Sequence, residues 1–266
     1  MIYDNNEITA ITYSGYNIVR AYSCGGELVF GNEPTPPGNE KIHMYFNDGG
    51  NDIVIECNSS STITNDEVLR GEIEAGRTTY SGITHVEFGN CVTEIENNLL
   101  AWTAQSQSVE TLTSVTIPDS VTTIGYGFCQ GRKALTDIEY PSGVTVIATS
   151  SFEHCESLSD FEIKEGVTTI GVQAFDECKS LYNIVIPSTV TSIGQSAFYI
   201  SNGTATINNN RSVTILAATP PTLGLNAFSL GHIEATYPIY VPAESLNAYK
   251  TAPGWNLIES RIFAIQ

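Results

Sequence analysis

The chain has 266 residues, room for one large or two modest domains with a sizeable core, which excludes a peptide or a disulfide-stapled miniprotein. Its 29 acidic against 11 basic side chains give a net charge of -18, which opposes phosphate-rich and anionic-lipid surfaces, so nucleic acid binding and membrane insertion drop out first. Apolar residues make up 41% and charged ones 15%, too many core formers and too little charge for a disordered chain.

The start, MIYDNNEITAITYSGYN, carries neither a basic n-region nor an apolar h-region, and no later stretch approaches about eighteen consecutive apolar residues. Location therefore has two expectations. The protein lies outside the cell or on its surface if a leader precedes this chain natively, and in a virion or the cytoplasm if Met1 is the native start. Residues 1–31 read as a β-hairpin module with turns at Ser14-Gly15 and Gly25-Gly26. Residues 32–41 form a linker stiffened by Pro34, Pro36 and Pro37. Residues 42–82 read as a small β/α N-terminal cap, with a second hairpin around Asp48 to Asp52 and a brief helix capped by Thr64 or Asn65.

From residue 83 to 228 the chain repeats, in about six coils. Leu112, Leu135, Leu158 and Leu181 recur every 23 residues, and so do Val121, Val144, Val167 and Val190, and Ile124, Ile147, Ile170 and Ile193. The unit reads L-x-x-I-x-I-P-x-x-V-T-x-I-G-x-x-A-F-x-x-C-x-x. Its first part alternates apolar and polar residues as a half-buried strand does, a Val and an Ile three apart follow, and Ala-Phe predicts a helical turn. Pro118, Pro141 and Pro187 close the first strand, because proline cannot donate to a ladder. Gly125, Gly171 and Gly194 suit a corner, and Ala148 in the same place argues that the corner does not require positive φ. Outer copies are worn: Val92 lies 29 residues before Val121, and Phe228 lies 30 after Phe198, with the extra residues at Trp102 to Ser108 and Asn202 to Asn210. No coil buries its Leu, Val, Ile and Phe alone, so the coils stack into a curved solenoid whose first strands form one parallel sheet. Residues 229–266 supply a capping strand through Ile239 and Val241, a helix carrying Leu246 and Tyr249 over the open end, and Trp255 as a seal.

This repeat resembles the BspA-like leucine-rich repeat family, whose I-P-x-x-V-T-x-I-G-x-x-A-F-x-x-C is matched nearly letter for letter from about Thr84 to Phe228. The resemblance implies a right-handed solenoid on or outside bacterial and related cells, used for adhesion or recognition and not for catalysis. Two places depart from it: Arg132 stands where Cys155 and Cys178 stand, and Phe128-Cys129 is shifted by one against Ser151-Phe152. About twenty residues near the start are also similar to short hairpin modules of phage and prophage tail-associated proteins, which need no secretion signal.

In such a sheet Val115, Ile117, Ile138, Tyr140, Phe161, Ile163, Ile184 and Ile186 point inward, and their neighbours face the concave side. The candidate binding residues are His85, Glu87, Ser114, Thr116, Asp137, Glu139, Asp160, Glu162 and Asn183. They stack Asp137 over Asp160 and Glu139 over Glu162, with Lys164 nearby. At roughly 5 Å such pairs repel by about 1 kcal/mol in water and about 3 at an effective dielectric of 20. A face that tolerates this cost suits a cation, a basic protein or a hydroxyl-rich sugar; the competing reading is a solvated acidic face whose charges rotate apart.

Nothing marks catalysis. The histidines are scattered, HExxH and GxSxG do not occur, and the six cysteines form no CxxC pair, so no catalytic or metal residue and no cofactor is expected and the thiols are expected to be reduced. Asn47 to Asp52 lacks the ligand alternation and closing Glu of a calcium loop. The expected function is recognition or adhesion, with a protein or carbohydrate partner on the concave face and a monomeric state. The alternative is a phage or prophage tail-associated receptor-binding protein, and a distant third is a carboxylate-based hydrolase.

Overall fold

The computed structural model describes residues 83–90, 92–101, 111–201, 211–229 and 237–266, and before them the backbone of five short strands. These are β1 (Ile11–Tyr13), β2 (Tyr16–Ile18), β3 (Lys41–Phe46), β4 (Ile53–Glu56) and β5 (Thr62–Ile63). Strands β1 and β2 pair antiparallel, and so do β3 and β4. The Gly25-Gly26 turn, the proline linker, the brief helix after Thr64 and Cys24, Cys57 and Cys91 lie outside the described residues.

Each coil from Ile83 onward contributes a first and a second strand: β6 (Ile83–Phe88) and β7 (Glu94–Ile95), β8 (Ser114–Thr116) and β9 (Thr123–Ile124), β10 (Asp137–Glu139) and β11 (Val146–Ile147). The next coil has only its second strand, β12 (Thr169–Ile170), followed by β13 (Asn183–Ile186) and β14 (Ser192–Ile193), and β15 (Ser212–Ile215) and β16 (Thr222–Leu223). Neighbouring coils pair parallel and in the register of the repeat: Ile138 lies beside Val115, Ile170 beside Ile147, and Ile193 beside Ile170. The leucine, valine and isoleucine ladders are all buried, none more than 4% exposed.

The first strands do not form one sheet. One sheet runs β10-β8-β6-β3-β4, with the β3–β4 hairpin added antiparallel to β6, and another runs β13-β15 and on into the C-terminal strands. Between them residues 160–163 form no ladder with either side. Two features of this coil explain the interruption. Phe161 packs its ring against Tyr140 at 5.4 Å and Phe152 at 4.9 Å, more volume than the valine or isoleucine that other coils bring to its place. In addition, Asp160 and Glu162 stand over Asp137 and Glu139 in the repeat.

The second strands are interrupted elsewhere, between β9 and β11. The amides of Gly125, Gly171, Gly194 and Gly224 donate to Ile95, Ile147, Ile170 and Ile193 of the preceding coil at 2.8–2.9 Å, whereas Ala148 makes no such bond to Ile124. None of these four glycines has positive φ. They are glycine because a Cβ on Gly171 would lie 2.6 Å from the Thr149 nitrogen, and one on Gly194 2.5 Å from the Val172 nitrogen. Ala148 brings that methyl, and the ladder opens.

The expected helical turn is also corrected. The Ala-Phe segment is a turn whose amides bond to the next coil: Ser150, Phe152 and His154 donate to Val172, Ala174 and Asp176, and Gln173, Phe175 and Glu177 to Gln195, Ala197 and Tyr199. Left-handed residues at Asn98, Gly127, Ser150, Gln173, Ser196 and Asn226 aim these groups along the solenoid axis. The shifted Phe128-Cys129 keeps this register, with Gly127, Cys129 and Gly131 donating to Thr149, Ser151 and Glu153. Inside the turns Phe152, Phe175, Phe198 and Phe228 stack with centroids 5.2–5.4 Å apart and end against Trp255.

The C-terminal segment closes the stack. Beyond β17 (Ile239–Val241) and a helix, α1 (Leu246–Thr251), a further strand, β18 (Ile262–Ala264), pairs with β17 and becomes the edge. Tyr249 donates its hydroxyl to Ala217 O at 2.8 Å and Trp255 its Nε1–H to Pro221 O at 2.7 Å, so both buried rings satisfy their polar atoms while closing the core.

Candidate binding face

Period-two alternation puts the inward residues in the core and leaves their neighbours on the opposite face of the sheet. Register aligns His85, Ser114 and Asp137 in one row and Glu87, Thr116 and Glu139 in the next. His85 Nδ1 and Ser114 Oγ are 2.7 Å apart, and Ser212 Oγ donates to Asn183 Oδ1 at 3.4 Å. The interruption at residues 160–163 hollows this face into a groove of about 580 Å³. Thr116, Asp137, Glu139, Asp160 and Glu162 line it; His85, Glu87, Ser114 and Asn183 lie on the same sheet face but not in the groove. Sequence reasoning missed two further lining residues, Asp119 and Ser142, which follow the closing prolines.

The strand carboxylates of the groove differ from Asp119, which also lines it, and from the charges in the other ladders. Asp119 accepts from both Ser142 N at 2.8 Å and Ser142 Oγ at 2.9 Å, and these bonds hold its carboxyl below the usual range. Glu165 accepts hydrogen bonds from Ser188 N and Oγ of the next coil at 3.2 and 3.4 Å. Lys133, Glu156 and Lys179 alternate in sign, at 3.5 and 2.9 Å. Burial pushes Glu156 up, and the two lysines outweigh it and leave its carboxyl below the ordinary value. Among the described residues Asp137, Glu139 and Asp160 have no such partner, and Glu162 has Lys164 alone. On the same rows the far half turns apolar: Val185 and Phe263 are each 49% exposed, and Tyr240 contacts Phe263 at 6.3 Å. The signal for that extension was the period-two pattern of Ile239–Val241 and Ile262–Ala264, and the second of these strands was not anticipated.

The cysteine column has a structural role. Cys155 and Cys178 donate Sγ–H to Cys129 O and Phe152 O at 3.2 and 3.1 Å, and Arg132 in the same place donates Nε–H to Leu100 O and Nη2–H to Ala101 O. Cys129, Cys155 and Cys178 are free, buried thiols, pushed up by desolvation and so unreactive. Among the described residues no three His, Cys, Asp or Glu side chains are placed to hold a metal ion, and no helix is long and apolar enough to cross a membrane.

Stacked parallel rungs, buried Leu, Val and Ile ladders and an exposed first-strand face define a leucine-rich repeat solenoid. Residues 104–219 match the family described as BspA type Leucine rich repeat region, in six copies. No curated protein matches the chain. Among solved structures it is similar to a leucine rich cell surface protein from Faecalibacterium prausnitzii A2-165, at 37% identity and a TM-score of 0.40, over 46% of this chain and 30% of that one. It is also similar to the leucine rich repeat protein of T. pallidum, at 23% identity and 0.41, over 55% and 72%. A leucine-rich repeat protein from Bacteroides ovatus ATCC 8483 is similar at 19% and 0.38, over 76% and 54%. The chain thus spans under a third of the length of the first of these.

Proposed function

We propose that the chain is a non-catalytic recognition module that takes a protein partner bearing lysine or arginine on the groove at residues 137–164. One observation carries this reading. The repeat pairs or alternates its charges at Asp119, Glu165 and Glu156, whereas on the strand rows of the groove Asp137 and Asp160, and Glu139 and Glu162, stand one repeat apart with Lys164 as the neighbouring cation. Uncompensated acid of this kind steers and orients a cationic ligand while adding nothing to the fold. A neutral glycan leaves those charges unanswered, so the protein partner is preferred to the carbohydrate one. The resemblance to BspA-like proteins supports a place on or outside a bacterial cell.

The test is binding of the intact chain to immobilised lysine- or arginine-rich peptides and to neutral glycans, in parallel with the Asp160→Ala, Glu162→Ala double variant. The expected result is peptide binding that the double variant weakens by about tenfold and that about 0.5 M salt reduces, with an unchanged cooperative melt. Equal binding by wild type and variant, or binding of glycans alone, removes the proposal. The tail-associated alternative draws on residues 1–31, and the groove gives it no support.

A further inference from the structure

Two buried arginines, Arg132 and Arg211, and the partly buried Arg261 divide by what their nitrogens touch. Arg132, 2% exposed, spends its guanidinium on the carbonyls of Leu100 and Ala101. Arg261 donates Nε–H to Tyr237 O at 3.2 Å and Nη1–H to Phe228 O at 3.1 Å, and its Nη2 is buried with no partner. Arg211 is 1% exposed, and Nε, Nη1 and Nη2 all lie buried without a hydrogen-bond partner among the described residues. Both Arg211 and Arg261 sit over the ring of Tyr237, 5.3 and 4.3 Å from its centroid. The Tyr237 hydroxyl is taken up by Phe228 O at 2.9 Å.

Two cations over one ring attract its π face, but that contact satisfies no N–H group. A guanidinium stays protonated in a protein, so Arg211 does not escape by losing its proton, although burial and the charge of Arg261 both disfavour its charged form. The chain has 29 carboxylates to offer, and among the described residues none makes an ion pair with Arg211. Asp176, a buried carboxylate, accepts from Gln173 through Oδ2 and leaves its own Oδ1 unbonded. An unpaired buried guanidinium is costly, and its flat fork of parallel N–H groups has a matching partner in the two oxygens of an oxyanion.

We propose that Arg211, with Arg261 beside it over Tyr237, is the binding site for a small oxyanion of the carboxylate, phosphate or sulfate class, held in bidentate fashion by Arg211. The site is separate from the groove and of opposite sign, so it goes beyond the recognition function. In this arrangement the anion links the last full coil, through Arg211, to the C-terminal cap, through Arg261.

Thermal melts of the full chain at fixed ionic strength, exchanging sodium chloride for acetate, phosphate or sulfate, test this directly. The expected result is a saturable rise in melting temperature with at least one oxyanion, and the arm that responds identifies its class. Arg211→Met is expected to melt cooperatively with no oxyanion dependence. Should that variant not fold, Arg211→Lys, which keeps a charge but loses the fork, is expected to need at least tenfold more oxyanion for half the effect. A wild-type midpoint that follows ionic strength alone, or a variant that responds as wild type does, overturns the site.

Discussion

One methyl group separates Gly171 from Ala148, and it decides whether two coils join. At Gly194 the space for a Cβ is filled by backbone of the preceding coil, not by a side chain that could swing aside. Gly194→Ala is therefore expected to destabilise the fold by about 2–3 kcal/mol, read from denaturant melts. The reverse change, Ala148→Gly, gains one amide bond worth about 1 kcal/mol and loses about as much to backbone entropy, so stability stays level while exchange of the residue 148 amide slows. Asp176 gives a pH signature. Burial raises its carboxyl above the ordinary 3.8, Glu177 and Glu153 add to the rise, and its Oδ1 is unbonded. A carboxyl raised in the folded state favours the fold below 3.8 and weakens it once pH exceeds the raised value. Asp176→Asn is thus expected to raise the melting temperature near pH 7, with the advantage vanishing as pH falls below about 4. The sequence showed the glycine column but not its cause, because close backbone approach leaves no mark on composition.

At the scale of elements, the rungs carry the stability and the turns carry the direction. Ile170 sits 1% exposed between Ile147 and Ile193, so Ile170→Asn buries an amide with nothing to bond and is expected to cost several kcal/mol, about 3–5, by thermal or urea melts. An unchanged midpoint would break the register. These strands were legible because their apolar residues recur in three parallel series, and the buried Leu, Val and Ile ladders follow that reading residue for residue. The turns were less legible. Ser150, Gln173 and Ser196 adopt left-handed backbone without being glycine, sustained by amide bonds to the neighbouring coil that no local propensity encodes. The gap at residues 160–163 was half legible, since the stacked carboxylates were visible in the repeat while the bulk of Phe161 beside Tyr140 acts only in three dimensions.

For the molecule as a whole, a net charge of -18 works against compactness. Screening relieves it, so the melting temperature is expected to climb between about 10 and 150 mM sodium chloride and then level off, the reverse of a fold held by ion pairs. Of the candidate face, the sequence indicated the five groove residues and the four beside them; the hollow itself and the apolar far half arise from where the sheet parts and from β18. Those partings are offset. Between the coils of Ile124 and Ile147 the first strands remain joined, and where the first strands part, around Phe161, the second strands remain joined from Ile147 through Ile193. Like the staggered joints of a brick wall, they give a crack no straight course across the stack, so a solenoid pulled from its two ends tears in a single event instead of shedding halves.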